Sequence, residues 1–294
     1  MKHTLNLLGL SIFTLVGASL SHANTTEESP FSSPESVLHH GNHLFVSNVG
    51  KKLEPTNQDG DGFISMLSSS GELITQKHFE VILNAPKGMA VHNNTLYVTD
   101  INRVVGLDLD SKKQVMELSL ADLNVNFLND IVATDDGILY VSATDTGDIY
   151  QINTRLTDTK RALSRLPIQT LPGPNGLAYD KESHALWVAS FGSGEAKPGE
   201  FGKVSLNSYQ YEKLASIEGM LDGVALISAN KALLSDWVAF DNSGRIIEVD
   251  LTTGEKRTLY DNLGGPADFS YLAAKNEIVI PRMIESKVTI QTLD

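Results

Sequence analysis

The chain has 294 residues, of which 23 are Lys or Arg and 36 are Asp or Glu, for a formal net charge of -13, and it contains no Cys. So acidic a chain is a poor partner for nucleic acid or anionic lipid, which call for basic patches. The lack of Cys rules out a disulfide framework and a lipid-anchored lipoprotein.

Residues 1–23 read as an export signal. Lys2 gives a positive start, Leu5 to Leu20 an apolar run, and Ser21-His22-Ala23 a small-residue cleavage site. Asn6, Thr14 and Ser19 interrupt that run, which falls short of the roughly 20 apolar residues a membrane span needs. Cleavage near Ala23 and a periplasmic or secreted location are expected, with no membrane span later in the chain. Residues 24–33 are polar and read as a flexible leader.

From Pro34 onward one figure recurs. Pro34-Glu35-Ser36-Val37 precedes Leu44-Phe45-Val46-Ser47, and Pro86-Lys87-Gly88-Met89 precedes Leu96-Tyr97-Val98-Thr99. Leu128-Asn129-Asp130-Ile131 precedes Leu139-Tyr140-Val141-Ser142, and Pro174-Asn175-Gly176-Leu177 precedes Ala185-Leu186-Trp187-Val188. Leu221-Asp222-Gly223-Val224 and Pro266-Ala267-Asp268-Phe269 complete the set, ahead of Leu233-Leu234-Ser235 and Ile278-Val279-Ile280. The starts lie 52, 42, 46, 47 and 45 residues apart. A strand-rich period of about 40–50 residues marks a β-propeller with one blade per repeat. The expected fold is all-β, a six-bladed β-propeller filling residues 34–294 as one domain.

Each repeat has room for four short strands separated by turn residues. In the second these fall at Gly88–Val91, Thr95–Thr99, Val104–Asp108 and Gln114–Leu118. The last repeat has residues for three, which leaves the closure of the ring open. First-to-second strand connections are short throughout, whereas second-to-third connections are long at Val49 to Gly62, Phe191 to Gly202 and Trp237 to Gly244. Antiparallel pairing puts those long loops at the end where each figure begins, so the site belongs there.

The first strand of a blade lines the central channel. Second positions of the figures are Glu35, Lys87, Asn129, Asn175, Asp222 and Ala267, and the third positions add Asp130 and Asp268. Dry and unpaired, such polar groups would cost several kcal/mol each, so they must hold water, a metal or a ligand. The oxygen donors among them suit Ca²⁺, Mg²⁺ or Mn²⁺. A water-filled polar channel is the plain alternative.

These figures resemble the gluconolactonase and regucalcin-like superfamily, also called the senescence marker protein family, over essentially all of residues 34–294. The resemblance implies one divalent cation, Ca²⁺ first and Mg²⁺, Mn²⁺ or Zn²⁺ as options, held by Glu35, Asn175 and Asp222. It implies hydrolysis of a sugar lactone or similar small ester, with Asp222 as base and Asn129 in contact with metal-bound water and substrate. Lys87, Asp130, Asp236 and Asp268 are further candidates for substrate contact, with strand-end capping an equal reading for Asp236, which like Asp100 ends a second strand at the rim. The chain departs from the family at Ser36, where a Gly is common, and at Phe127 and Leu128, where some members carry an Arg. A monomer is expected. A non-enzymatic propeller that binds a small molecule or protein, and a lyase or synthase on the same architecture, are the competing readings.

Other signals carry less. Asn57 to Ile64 copies the start of a Ca²⁺-binding loop, but position twelve is Ser68, so an Asp- and Gly-rich turn is the better reading. His39, His40 and His43 fall at the opposite end of the ring and read as surface. Trp187 and Trp237 read as packing residues, and no G-x-S-x-G motif follows the signal.

Overall fold

The computed structural model describes residues 29–193 and 197–293; the expected export signal and residues 24–28 of the leader lie outside them. Six small antiparallel sheets make up the fold, five of four strands and one of three, each meandering from first strand to last. Val, Ile, Leu and Tyr crowd these strands, as sheets packed on both faces demand. Among the described residues helix is confined to Thr159–Ala162 and two 3₁₀ turns, and no helix there is long and apolar enough to cross a membrane.

The first strands are Pro34–His40, Pro86–His92, Leu128–Ala133, Pro174–Asp180, Leu221–Ser228 and Ser270–Leu272. Each touches the first strand of the next sheet, and the sixth touches the first, which closes a ring of six blades. The apolar core is accordingly not central. It is divided into slabs between neighbouring blades, such as Leu120, Leu128, Ile131 and Leu139 with Tyr97 between the second and third. The slab between the last blade and the first joins Leu272 and Val279 to Val37, Leu44 and Val46.

The last blade has three strands and no fourth one from the other terminus among the described residues. Its closure uses backbone and side chain together. Val37 N–H donates to the Asp268 carbonyl at 3.1 Å, and Asp268 N–H donates to the Glu35 carbonyl at 2.9 Å. Phe31 packs on the closing slab beside Val288 and Ile290, and Ser33 N–H donates to Ser286 Oγ.

Buried hydroxyls on the second strands lace the inner strands together. Ser142 Oγ accepts from Asp130 N–H at 2.9 Å in its own blade and donates to the Asn175 carbonyl of the next at 2.6 Å. Ser235 does the same between Gly223 N–H and the Ala267 carbonyl. Ser47 accepts from Ser36 N–H, and Thr99 donates to the Asn129 carbonyl. Ser190 occupies the matching place without a partner. Removing the Ser142 hydroxyl strands a buried N–H and a buried carbonyl, so Ser142→Ala is expected to cost about 1–3 kcal/mol. Ser190→Ala is expected to cost less than about 0.5 kcal/mol, and urea denaturation of the two variants side by side checks the contrast.

Candidate functional site in the channel mouth

Five of the six second positions meet in one cavity. Glu35, Lys87, Asn129, Asn175 and Asp222 line one cavity of about 170 Å³ at the channel mouth, while Ala267 is buried below it among apolar neighbours. All five polar residues are buried. Their placement follows from the backbone: the hydroxyls just described take the carbonyls of Asn129 and Asn175, and in five of the six blades the pairing of the first strand shifts register at the figure, as between Pro174 and Leu177. Gly176 lets the Asp222 backbone come close, since a Cβ there would lie 2.1 Å from the Asp222 carbonyl oxygen.

Three oxygens in this cavity are buried with no hydrogen-bond partner: Glu35 Oε2, Asn175 Oδ1 and Asp222 Oδ1. The other Asp222 oxygen accepts from Trp237 Nε1 at 2.9 Å. Burial, then the charge of Asp222, pushes the Glu35 carboxyl well above the ordinary carboxylate range, and Lys87 offsets this in part. Burial and Asp268 push Asp222 up in turn, against hydrogen bonding from Trp237 and the adjacent Asn175 amide.

Lys87 is withdrawn from the oxygen cluster. Its ammonium donates to the carbonyls of Pro55 and Ala85 at 2.7 and 3.0 Å and stands 4.9 Å from the centre of the Phe127 ring. Burial pulls it down to about 8, with Glu35 and Asp100 opposing.

Asp130 and Asp268 do not line the cavity. They sit one residue beyond the second positions and clamp neighbouring blades. Asp130 accepts from Leu177 N–H at 2.7 Å and Ile131 N–H at 2.6 Å, and Asp268 accepts from Ser36 Oγ at 2.5 Å. Burial pushes Asp268 up to about 7. The hydroxyl of Ser36 thus supports closure of the ring.

Asp236 is likewise outside the cavity, held by Arg245 Nε and Nη2 at 2.9 and 2.7 Å and by the N–H groups of Met220 and Val238. That clamp keeps Val238 at φ 61°, a left-handed conformation that costs a β-branched residue about 1–2 kcal/mol. Asp100 and Arg103 form the same clamp in the second blade.

Trp237, expected as a packing residue, also lines the cavity, and it belongs to an apolar wall that the repeat pattern does not mark. Leu53, Pro55, Phe127, Phe191, Trp237 and Phe240 surround the mouth, and Phe240 is 69% exposed. The signal that points to them is position, since each lies in a loop at the end where the figures begin. Among the described residues no three His, Cys, Asp or Glu side chains form a metal cluster; the oxygen set here is two carboxylates with two amides.

No family model matches the chain, and no curated protein matches its sequence. Solved structures do match in fold. A hydrazine synthase from Kuenenia stuttgartiensis aligns with TM-score 0.63 and 15% identity over 94% of this chain and 80% of that one. A catalytically inactive virginiamycin B lyase from Staphylococcus aureus, crystallised with quinupristin, gives 0.60 and 14% over 89% and 80%. The extracellular domain of a putative one-component system from B. thetaiotaomicron gives 0.56 and 12% over 88% and 34%. The chain shares its propeller fold with enzymes at a sequence distance that carries the fold alone.

The carboxyls raised by burial hold protons in the folded state that the unfolded chain has released. The cation-free protein is therefore expected to lose stability as pH rises from about 4 to about 7, the value of Asp268. Asp222→Asn removes one of these groups and is expected to stabilise the cation-free protein at pH 8 by about 1–3 kcal/mol. Melting temperatures against pH in EDTA, for both forms, give the check.

Proposed function

We propose that this chain is a divalent-cation-dependent hydrolase of a small lactone or similar ester, akin to the gluconolactonase and regucalcin-like proteins. The observation that carries the reading is the trio of unpartnered buried oxygens on Glu35, Asn175 and Asp222. Two carboxyl groups and an amide facing one cavity, with Lys87 as the basic side chain in its wall, are a hard-oxygen donor set that gains negative charge as a cation displaces the carboxyl protons. These three residues would hold the ion, with Asn129 beside them, and Ca²⁺, Mg²⁺ or Mn²⁺ suits such donors better than Zn²⁺. When bound, the ion supplies polarisation of a carbonyl oxygen and a lowered pKa for water.

The chain's own residues account for the rest. Trp237 pins Asp222 Oδ2 and leaves Oδ1 as the free lone-pair edge, the edge that takes a proton from the attacking water. Asn129, whose own carbonyl is tied to Thr99, presents its amide to the substrate oxygen. Lys87 spends two of its donors on backbone carbonyls and keeps a third for an oxyanion. The apolar wall restricts bulk water around the reacting group.

Hydrolysis of a panel of sugar lactones, simple lactones and aryl esters, followed by proton release, tests this. Turnover is expected to vanish in EDTA and return with Ca²⁺, Mg²⁺ or Mn²⁺. Glu35→Gln and Asp222→Asn are expected to lower kcat/KM by about 10²–10⁴, and Asn129→Ala by about 10²–10³. A protein that binds cations yet turns over nothing on the panel returns the site to the binding reading.

A further inference from the structure

The channel cavity has a neighbour. Phe191 and Phe240 belong both to its wall and to the wall of a second, larger cavity of about 710 Å³, bounded also by Pro198, Met220, Val238 and Ala239. At about 170 Å³ the channel cavity lies below the roughly 300–1,000 Å³ of ordinary small-molecule pockets, whereas the outer cavity lies within that range. The polar groups of the outer one, Asp236 and Arg245, are occupied with each other.

The partition between the two is a built object. Trp237, Phe191 and Phe240 pack edge-on or tilted at centroid distances of 5.5 to 6.1 Å. Phe240 keeps 69% of its surface exposed and Val238 keeps 44%, on a loop that the Asp236 clamp holds in strained geometry. Holding large apolar groups open to water in a fixed arrangement is the mark of a surface that meets an apolar ligand.

We propose that the site takes an amphiphilic lactone or ester, its oxygen-bearing end in the channel cavity and an apolar arm across Phe191 and Phe240 into the outer cavity. This rests on the hydrolase reading for the head group and replaces a bare sugar lactone with one bearing an alkyl or aryl arm. The two cavities are continuous through a shared aromatic wall, so the arm of that small molecule fills the outer one.

The chain has two Trp residues, and Trp187 lies away from the cavities, stacked on Phe201. Trp187→Phe thus leaves Trp237 as the sole fluorescent reporter at the site. The test is a series of γ-lactones with side chains of zero to eight carbons, followed in the same protein by Trp237 fluorescence for binding and proton release for hydrolysis, with and without Ca²⁺. Affinity is expected to rise about fourfold per methylene over the first several carbons. Phe240→Ser, at an exposed position that the fold does not depend on, is expected to cut the preference for the longest lactone over the shortest at least tenfold.

Binding that is independent of chain length, absent at every length, or weakened equally for short and long lactones by Phe240→Ser overturns the proposal. Length-dependent binding without hydrolysis upholds the amphiphilic ligand and removes the hydrolase reading. Hydrolysis that ignores chain length does the reverse.

Discussion

The structure depends on a hydroxyl that both donates and accepts. Inner strands of adjacent blades belong to different sheets, so the backbone groups that face each other between them have no ladder to join. Ser142 and Ser235 each bridge that gap, taking an N–H from one blade and giving a proton to a carbonyl in the next. With the carbonyls of Asn129, Asn175 and Ala267 fixed outward in this way, the second-position side chains are left to face the channel. In the last blade Ile278, Val279 and Ile280 provide no hydroxyl, and the link passes to a direct bridge between Ser36 and Asp268. The lacing that joins the second blade to the third, the third to the fourth and the fifth to the sixth is therefore also a device that assembles the site.

The buried acids differ in what satisfies their oxygens, and Asp130 relies on the N–H groups of Ile131 and Leu177 without a cation. Asp100 and Asp236 each lie against an arginine and two or more backbone N–H groups, the arrangement that makes a buried carboxylate tolerable. Glu35 and Asp222 have no arginine, and each keeps a buried oxygen with nothing to accept from. The nearby cation, Lys87, is committed to the carbonyls of Pro55 and Ala85. A chain that satisfies its structural acids so fully at one end of the second strands leaves these two open where the cavity lies. That contrast favours a ligand over a channel that merely tolerates water.

The blade count was legible because a propeller repeats in sequence what it repeats in space, and Glu35, Asn175 and Asp222 were legible because the figure marks one place in every blade. What escaped lies between repeats. The partner of Asp236 is Arg245, its neighbour across the antiparallel ladder, and from the sequence alone a rim carboxylate looks like a ligand contact. The same pair at Asp100 and Arg103 is the clue that could have exposed it. Ser47, Thr99, Ser142, Ser190 and Ser235 also recur in register, but their role appears only when one blade is set beside the next. Closure of the three-stranded blade by Phe31, Ser33 and Ser286 joins segments some 250 residues apart, with no local pattern to announce it.

Trp237 binds these themes into one mechanical unit. Its indole N–H sets the rotamer of Asp222, its ring carries Phe191 and Phe240, and its place in the chain lies between Asp236 and the strained Val238. Under the proposed function, an apolar arm on the wall and a carboxylate drawn toward a cation would meet at Trp237, which donates to Asp222 Oδ2 and packs against Phe191 and Phe240.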